Sequence, residues 1–174
     1  MEEIEVKVIE VDDSVLNKLD SMGARRLLDA DVIVVKYDFH DRALQSQGAS
    51  LRLEKQGDES KISFNKIVEK GGKKILAEIE TKLDDFDSMD GILRAIGMEK
   101  VQQYKKHRIA FEFGDFSIAY EKYEGIPALL EIKTSDIDKV YELVRKLGID
   151  ERKVKNWSTE ELFDYYDITN LLQV

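Results

Sequence analysis

The sequence contains no cysteine, which excludes disulfides, thiolate metal sites and thiol nucleophiles. It has two histidines, His40 and His107, too few for a histidine-built metal centre or a Ser-His-Asp triad. Any metal would therefore be held by oxygen ligands, which suits Mg²⁺, Mn²⁺ or Ca²⁺. No apolar run approaches the roughly 20 residues of a membrane span. The opening Met-Glu-Glu is not a basic segment followed by an apolar run, so no secretory leader is expected and the expected location is cytoplasmic. The net charge of −9 argues against broad binding to nucleic-acid polymers or membrane surfaces. An acidic chain still binds a small anion if its bases are gathered in one cleft.

What is present is charge and alternation. Charged residues make up 36% of the 174 residues, against about a quarter in ordinary domains. Hydrophobic residues at 43% suit one domain with a sizeable core, and with no linker or low-complexity stretch residues 1–174 are expected to form a single domain. The segment 2–10 alternates with period two: Ile4, Val6 and Val8 on one face, Glu3, Glu5 and Lys7 on the other. Such a strand is either a solvated edge or the wall of a charged interior, in which carboxylates hold a metal ion and the lysine an anion.

The rest of the chain reads as strands and helices in turn. A helix is predicted from Asp12 to Met22, stopped by Gly23. Strands are predicted at Arg25–Phe39, Ala49–Lys55, Lys61–Val68 and Lys74–Lys82. A helix from Phe86 to Ile96 stops at Gly97. Strands follow at Val101–Phe113, Phe116–Tyr123 and, after a break at Gly125-Ile-Pro127, Ala128–Thr134. Ser135 is read as the cap of a helix through Leu147, and Ser158-Thr-Glu-Glu161 as a capping box opening a terminal helix. Strands outnumber helices and several are joined by tight hairpins, so the expected class is α+β, a mostly antiparallel sheet with helices packed outside.

Strand after strand repeats the opening pattern. Arg52 and Glu54 lie opposite Leu51 and Leu53; Glu78 and Glu80 opposite Ala77 and Ile79. Lys106 and Arg108 lie opposite Ile109 and Phe111, Glu121 opposite Ile118 and Tyr120, and Glu131 and Lys133 opposite Leu130 and Ile132. Taken jointly, these faces fit a barrel that is charged inside and apolar outside. Lysines and arginines so gathered suit the oxygens of a triphosphate, and interleaved carboxylates suit a divalent cation.

In this order the motifs resemble those of the CYTH domains, or triphosphate tunnel metalloenzymes, over essentially the whole chain. Glu3-Ile-Glu-Val-Lys7 resembles their E-x-E-x-K signature. Lys36–Leu44, Ser50–Leu53, Ser63–Lys66, Glu78–Glu80, Lys106–Arg108 and Leu130–Ile132 resemble later segments. The resemblance implies an eight-stranded antiparallel β-barrel tunnel with flanking helices. It implies that Lys7, Arg52, Lys66, Lys106 and Arg108 hold phosphates and that Glu3, Glu5, Glu121 and Glu131 hold Mg²⁺ or Mn²⁺, with Glu5 and Lys7 central to catalysis. The implied substrate is a triphosphate such as ATP, thiamine triphosphate or tripolyphosphate, hydrolysed or, for ATP, cyclised. A homodimer stays open.

Three positions depart from that pattern: Glu54 and Leu76 stand where the family has arginine, and Lys133 where it has a glutamate ligand. An ammonium does not bind a metal. One expectation is that Glu54 and Lys133 form a compensating ion pair. The alternative function is a non-catalytic module that binds polyphosphate or a nucleotide. For Lys66, which shares strand parity with Ile62 and Phe64, either a bulge turns it inward or Lys61 takes its place.

Overall fold

A computed structural model describes the backbone of residues 4–70 and 73–168 and the side chains of residues 4–67 and 77–168. Eight long strands form: β1 (Ile4–Val8), β2 (Arg25–Phe39), β3 (Ala49–Gln56), β4 (Glu59–Lys70), β5 (Lys73–Leu83), β6 (Met98–Phe113), β7 (Phe116–Tyr123) and β8 (Ile126–Thr134). A two-residue strand β9 (Val154–Lys155), not anticipated from sequence, joins them in one sheet ordered β5-β4-β3-β2-β6-β7-β8-β1-β9. The α+β, antiparallel class is as expected, with eight long strands and a short ninth. The helices are α1 (Ser14–Ser21), α2 (Ala43–Ser46), α3 (Phe86–Ala95), α4 (Ile137–Lys146) and α5 (Thr159–Tyr165). No helix among the described residues is long and apolar enough to cross a membrane.

The chain divides into two compact units, 4–30 with 106–168 and 31–105 among the described residues. The division cuts across β2 and β6 rather than a linker, so composition gives no sign of it.

In the first unit, Val6, Val8, Ile109, Phe111, Ile118, Tyr120, Leu130 and Ile132 form the apolar face of the sheet, with Val15 and Leu19 of α1 in the same core cluster. Val140, Leu143, Val144 and Leu147 belong to it too; their spacing is one helical stripe. The two helices are also tied by a polar contact: the Lys18 ammonium donates to the Leu147 carbonyl at 2.6 Å, satisfying a helix-end acceptor. Gly148 then turns the chain at φ 68°, the left-handed conformation a C-terminal stop requires. The N-terminal cap is Asp136, accepting from the Asp138 amide, rather than Ser135. The capping box of α5 forms as predicted, Ser158 and Glu161 bonding each other's backbone amides.

In the second unit, Val35, Tyr37, Leu53 and Met98 pack with Leu93 of α3, and Phe86 and Met89 flank them. The single helical turn α2 is held by Asp38. Its buried carboxylate accepts from the amides of Phe39 (2.7 Å), Leu44 (2.9 Å) and Gln45 (3.0 Å). Burial alone would raise the Asp38 pKa, but those amide bonds outweigh it and hold the carboxyl below its ordinary value.

Candidate functional site

Register explains how the first unit gathers its charges. Lys7 lies opposite Glu131, which lies opposite Ala119, which lies opposite Ala110. In the next row, Glu5 lies opposite Lys133 and Lys133 opposite Ser117. Arg108 lies opposite Glu121, and Lys106 opposite Tyr123. With side chains alternating along each strand, all of these share the face opposite the apolar core. Ala110, Ala119 and Ser117 are small, which leaves room for the long charged chains to fold across the sheet. A shift in the β7–β8 pairing between Glu121 and Tyr123 marks a bulge there.

The charges form one continuous network. Lys7 Nζ is 3.1 Å from Glu5 Oε1 and 3.5 Å from Glu131 Oε2. Arg108 reaches Glu131 Oε1 at 3.2 Å and Glu121 Oε1 at 3.5 Å. Lys106 Nζ is 2.6 Å from Glu121 Oε1, and the Tyr123 hydroxyl donates to Glu121 Oε2 at 2.6 Å. Lys133 Nζ is 3.4 Å from Glu5 Oε2. Lys7 and Glu121 are fully buried, and Lys106 and Glu131 nearly so.

Burial alone would push the Lys7 ammonium down, yet Glu131, Glu5 and Glu121 outweigh it, and its pKa is pushed up to about 12. Burial likewise works to raise the Glu131 pKa, while Lys7, Lys106, Arg108 and Lys133 prevail and hold it well below the carboxylate range.

Tyr123 was not singled out from sequence, although it sits two residues from Glu121 on the same side of β7. Its ring meets Phe163 of α5 edge-on at 5.4 Å, so the terminal helix helps to fix the phenol against Glu121.

In the second unit, Arg52 lies opposite Lys36 on one side and Ser63 on the other, with Glu80 opposite Ser63. Two cations directly across a strand pair repel unless an anion joins them. The Arg52 Nε is buried and finds no hydrogen-bond partner among the described residues. Lys36, 4% exposed, was missed as a site candidate because it adjoins the Tyr-Asp segment rather than the Leu-Arg strand.

One expectation is corrected. The β3–β4 and β4–β5 registers run without a shift through Lys66, which lies opposite Ala49 and Ala77. Lys66 thus shares its face with Ile62 and Phe64, away from Arg52 and Ser63. The lysine on the charged face is Lys61, 2.9 Å from Glu80 and 3.9 Å from Glu54. Within its own unit Glu54 faces Lys61, and within its own unit Lys133 faces Glu5.

Of the expected metal ligands, the described Glu5, Glu121 and Glu131 do not fit a divalent cation as they stand. Glu3 and Leu76 lie outside the residues whose side chains are described. Among the described residues, no three acidic or histidine side chains converge as a metal cluster. All six oxygens of Glu5, Glu121 and Glu131 are engaged by Lys7, Lys133, Arg108, Lys106 or Tyr123.

Comparison with solved structures recovers the same fold at low identity. A candidate adenylate cyclase from Vibrio parahaemolyticus is 21% identical, with a TM-score of 0.77 over 94% of this chain and 98% of that one. The PH1012 protein of Pyrococcus horikoshii is 21% identical, with a TM-score of 0.74 over 92% and 98%. HpAC1 of Hippeastrum, a candidate adenylyl cyclase with a dominant triphosphatase activity, is 15% identical, with a TM-score of 0.68 over the full length of both chains. Comparison with curated proteins yields no match. The CYTH domain family model matches residues 1–158, and with that match the chain belongs to the CYTH domain family.

Proposed function

We propose that this protein binds a triphosphate-bearing small molecule on the charged sheet face of its first unit, with phosphate oxygens taken by Lys7, Lys106 and Arg108. The observation that supports this best is the buried network itself. Ion pairs removed from water gain little over well-packed apolar side chains of the same volume. The opposite face of these same strands supplies Val6, Val8, Ile109, Phe111, Ile118, Leu130 and Ile132 to the core. A charged face kept at that cost, with perturbed Lys7 and Glu131, is the pattern of a binding or reactive site. Ammonium and guanidinium groups are the ones that match phosphate oxygens, arginine in a two-pronged geometry. The buried, unmatched Arg52 Nε beside Lys36 supports a further anion-binding role in the second unit.

A second reading is turnover of the triphosphate by hydrolysis or cyclisation. It is favoured by the likeness to the candidate adenylate cyclase of Vibrio parahaemolyticus and to the Hippeastrum protein with triphosphatase activity.

Titration calorimetry with tripolyphosphate, ATP and thiamine triphosphate tests the binding reading. At least one should bind, and Arg108→Gln should weaken it by roughly tenfold or more, the worth of a charge-assisted hydrogen bond. Failure of all three to bind would reject it. Phosphate or pyrophosphate release in the presence of Mg²⁺ or Mn²⁺ tests turnover, and a Glu5→Gln variant that keeps full turnover would exclude a role for that carboxylate.

A further inference from the structure

We propose that Lys133 is a built-in counter-ion: it supplies positive charge that a bound divalent cation would otherwise bring, so the face takes up a polyphosphate without metal. The inference deepens the triphosphate-binding reading and rests on it.

Three features carry it. First, Lys133 Nζ lies 3.4 Å from Glu5 Oε2 while Lys7 holds Glu5 Oε1, so a cation seeking Glu5 must displace an ammonium. Second, among the described residues the network contains four cations, Lys7, Lys106, Arg108 and Lys133, against three carboxylates, Glu5, Glu121 and Glu131. Among these described side chains one positive charge is in excess. A glutamate at position 133 would reverse that to one negative charge in excess, and the difference of two charges is that of one divalent ion. Third, Lys133 is the most accessible of the four cations: its side chain is 26% exposed, against 22% for Arg108, 8% for Lys106 and 1% for Lys7. A long, flexible stem on a partly exposed residue lets the ammonium move from Glu5 to an incoming phosphate with little disturbance of the sheet.

The test is calorimetric titration of the full chain with tripolyphosphate, in excess EDTA and again in Mg²⁺, for the wild type, Lys133→Arg, Lys133→Gln and Lys133→Glu. Circular dichroism confirms that each is folded. In EDTA the wild type should bind at least as tightly as in Mg²⁺, and Lys133→Arg should match it. Lys133→Gln should bind roughly tenfold more weakly in EDTA, and Lys133→Glu more weakly still. Mn²⁺ titrated without polyphosphate, followed by electron paramagnetic resonance, should remain free with the wild type and lose free signal with Lys133→Glu. The inference is overturned if the wild type binds roughly threefold or more tightly in Mg²⁺ than in EDTA, if Lys133→Gln binds like the wild type in EDTA, or if the wild type sequesters Mn²⁺. Should the wild type bind tripolyphosphate in neither buffer, the binding reading itself falls. Binding that depends on metal would leave that reading standing and sink only the role of Lys133.

Discussion

Lys7 and Glu131 show how one pair of residues sets the behaviour of the site. Lys7 is fully buried, and truncating it to alanine would leave Glu131 buried beside one cation fewer. Lys7→Ala should therefore cost about 3–5 kcal/mol of stability, measured by urea unfolding. The pair also determines pH behaviour. Burial works to lower the Lys7 pKa and its carboxylate neighbours raise it to about 12, so its contribution is complete below the ordinary lysine value and is lost as pH rises through about 12. Burial works to raise the Glu131 pKa and its cationic neighbours depress it, so its contribution is present above the ordinary glutamate value and is lost as pH falls through the depressed one. Thermal melts of Glu131→Gln against wild type should show the largest loss of Tm between these limits and a shrinking difference towards strong acid. A constant difference at every pH would show that Glu131 is not an ionised partner in the folded protein.

Among the elements, α5 connects the C-terminal part of the first unit to the charged face. Its capping box fixes the start of the helix, Phe163 packs on Tyr123, and Tyr123 donates to Glu121. Ser158→Ala removes one cap bond and should lower stability by about 1 kcal/mol, read from the denaturation midpoint at unchanged slope. The strands were predicted closely where alternation was clean, as in Arg25–Phe39 and Phe116–Tyr123. They were missed where alternation was absent. The pair Val154–Lys155 is too short to show a period and exists because Lys7 and Val8 of β1 offer it partners. β8 begins at Ile126, two residues before the predicted start, because Ile126 pairs with Tyr123 and the proline that follows is accommodated early in the strand.

For the whole molecule, the contrast is between a net charge of −9 and a network whose described side chains carry one positive charge in excess. The bases that matter are few and sequestered, which favours a compact anion over an extended polyanion lying on the surface. Duplex DNA should give no mobility shift even at low salt, where such contacts are strongest. A clear shift there would place the functional bases on the exterior instead.

The residues themselves determined the strand faces, the helix stops and the sequence of motifs, because side-chain alternation and capping chemistry act over a few neighbours. Lys66 could be assigned to the apolar parity of its strand by counting alone, and the unshifted register left it there. The partners of the charges were decided only in three dimensions. Glu5 meets Lys133, and Lys7 meets Glu131, across 128 and 124 positions in the chain, set by the pairing of β1 with β8. A carboxylate's role depends on which cation or hydroxyl reaches its oxygens, and that is a property of register and burial rather than of any local run of residues.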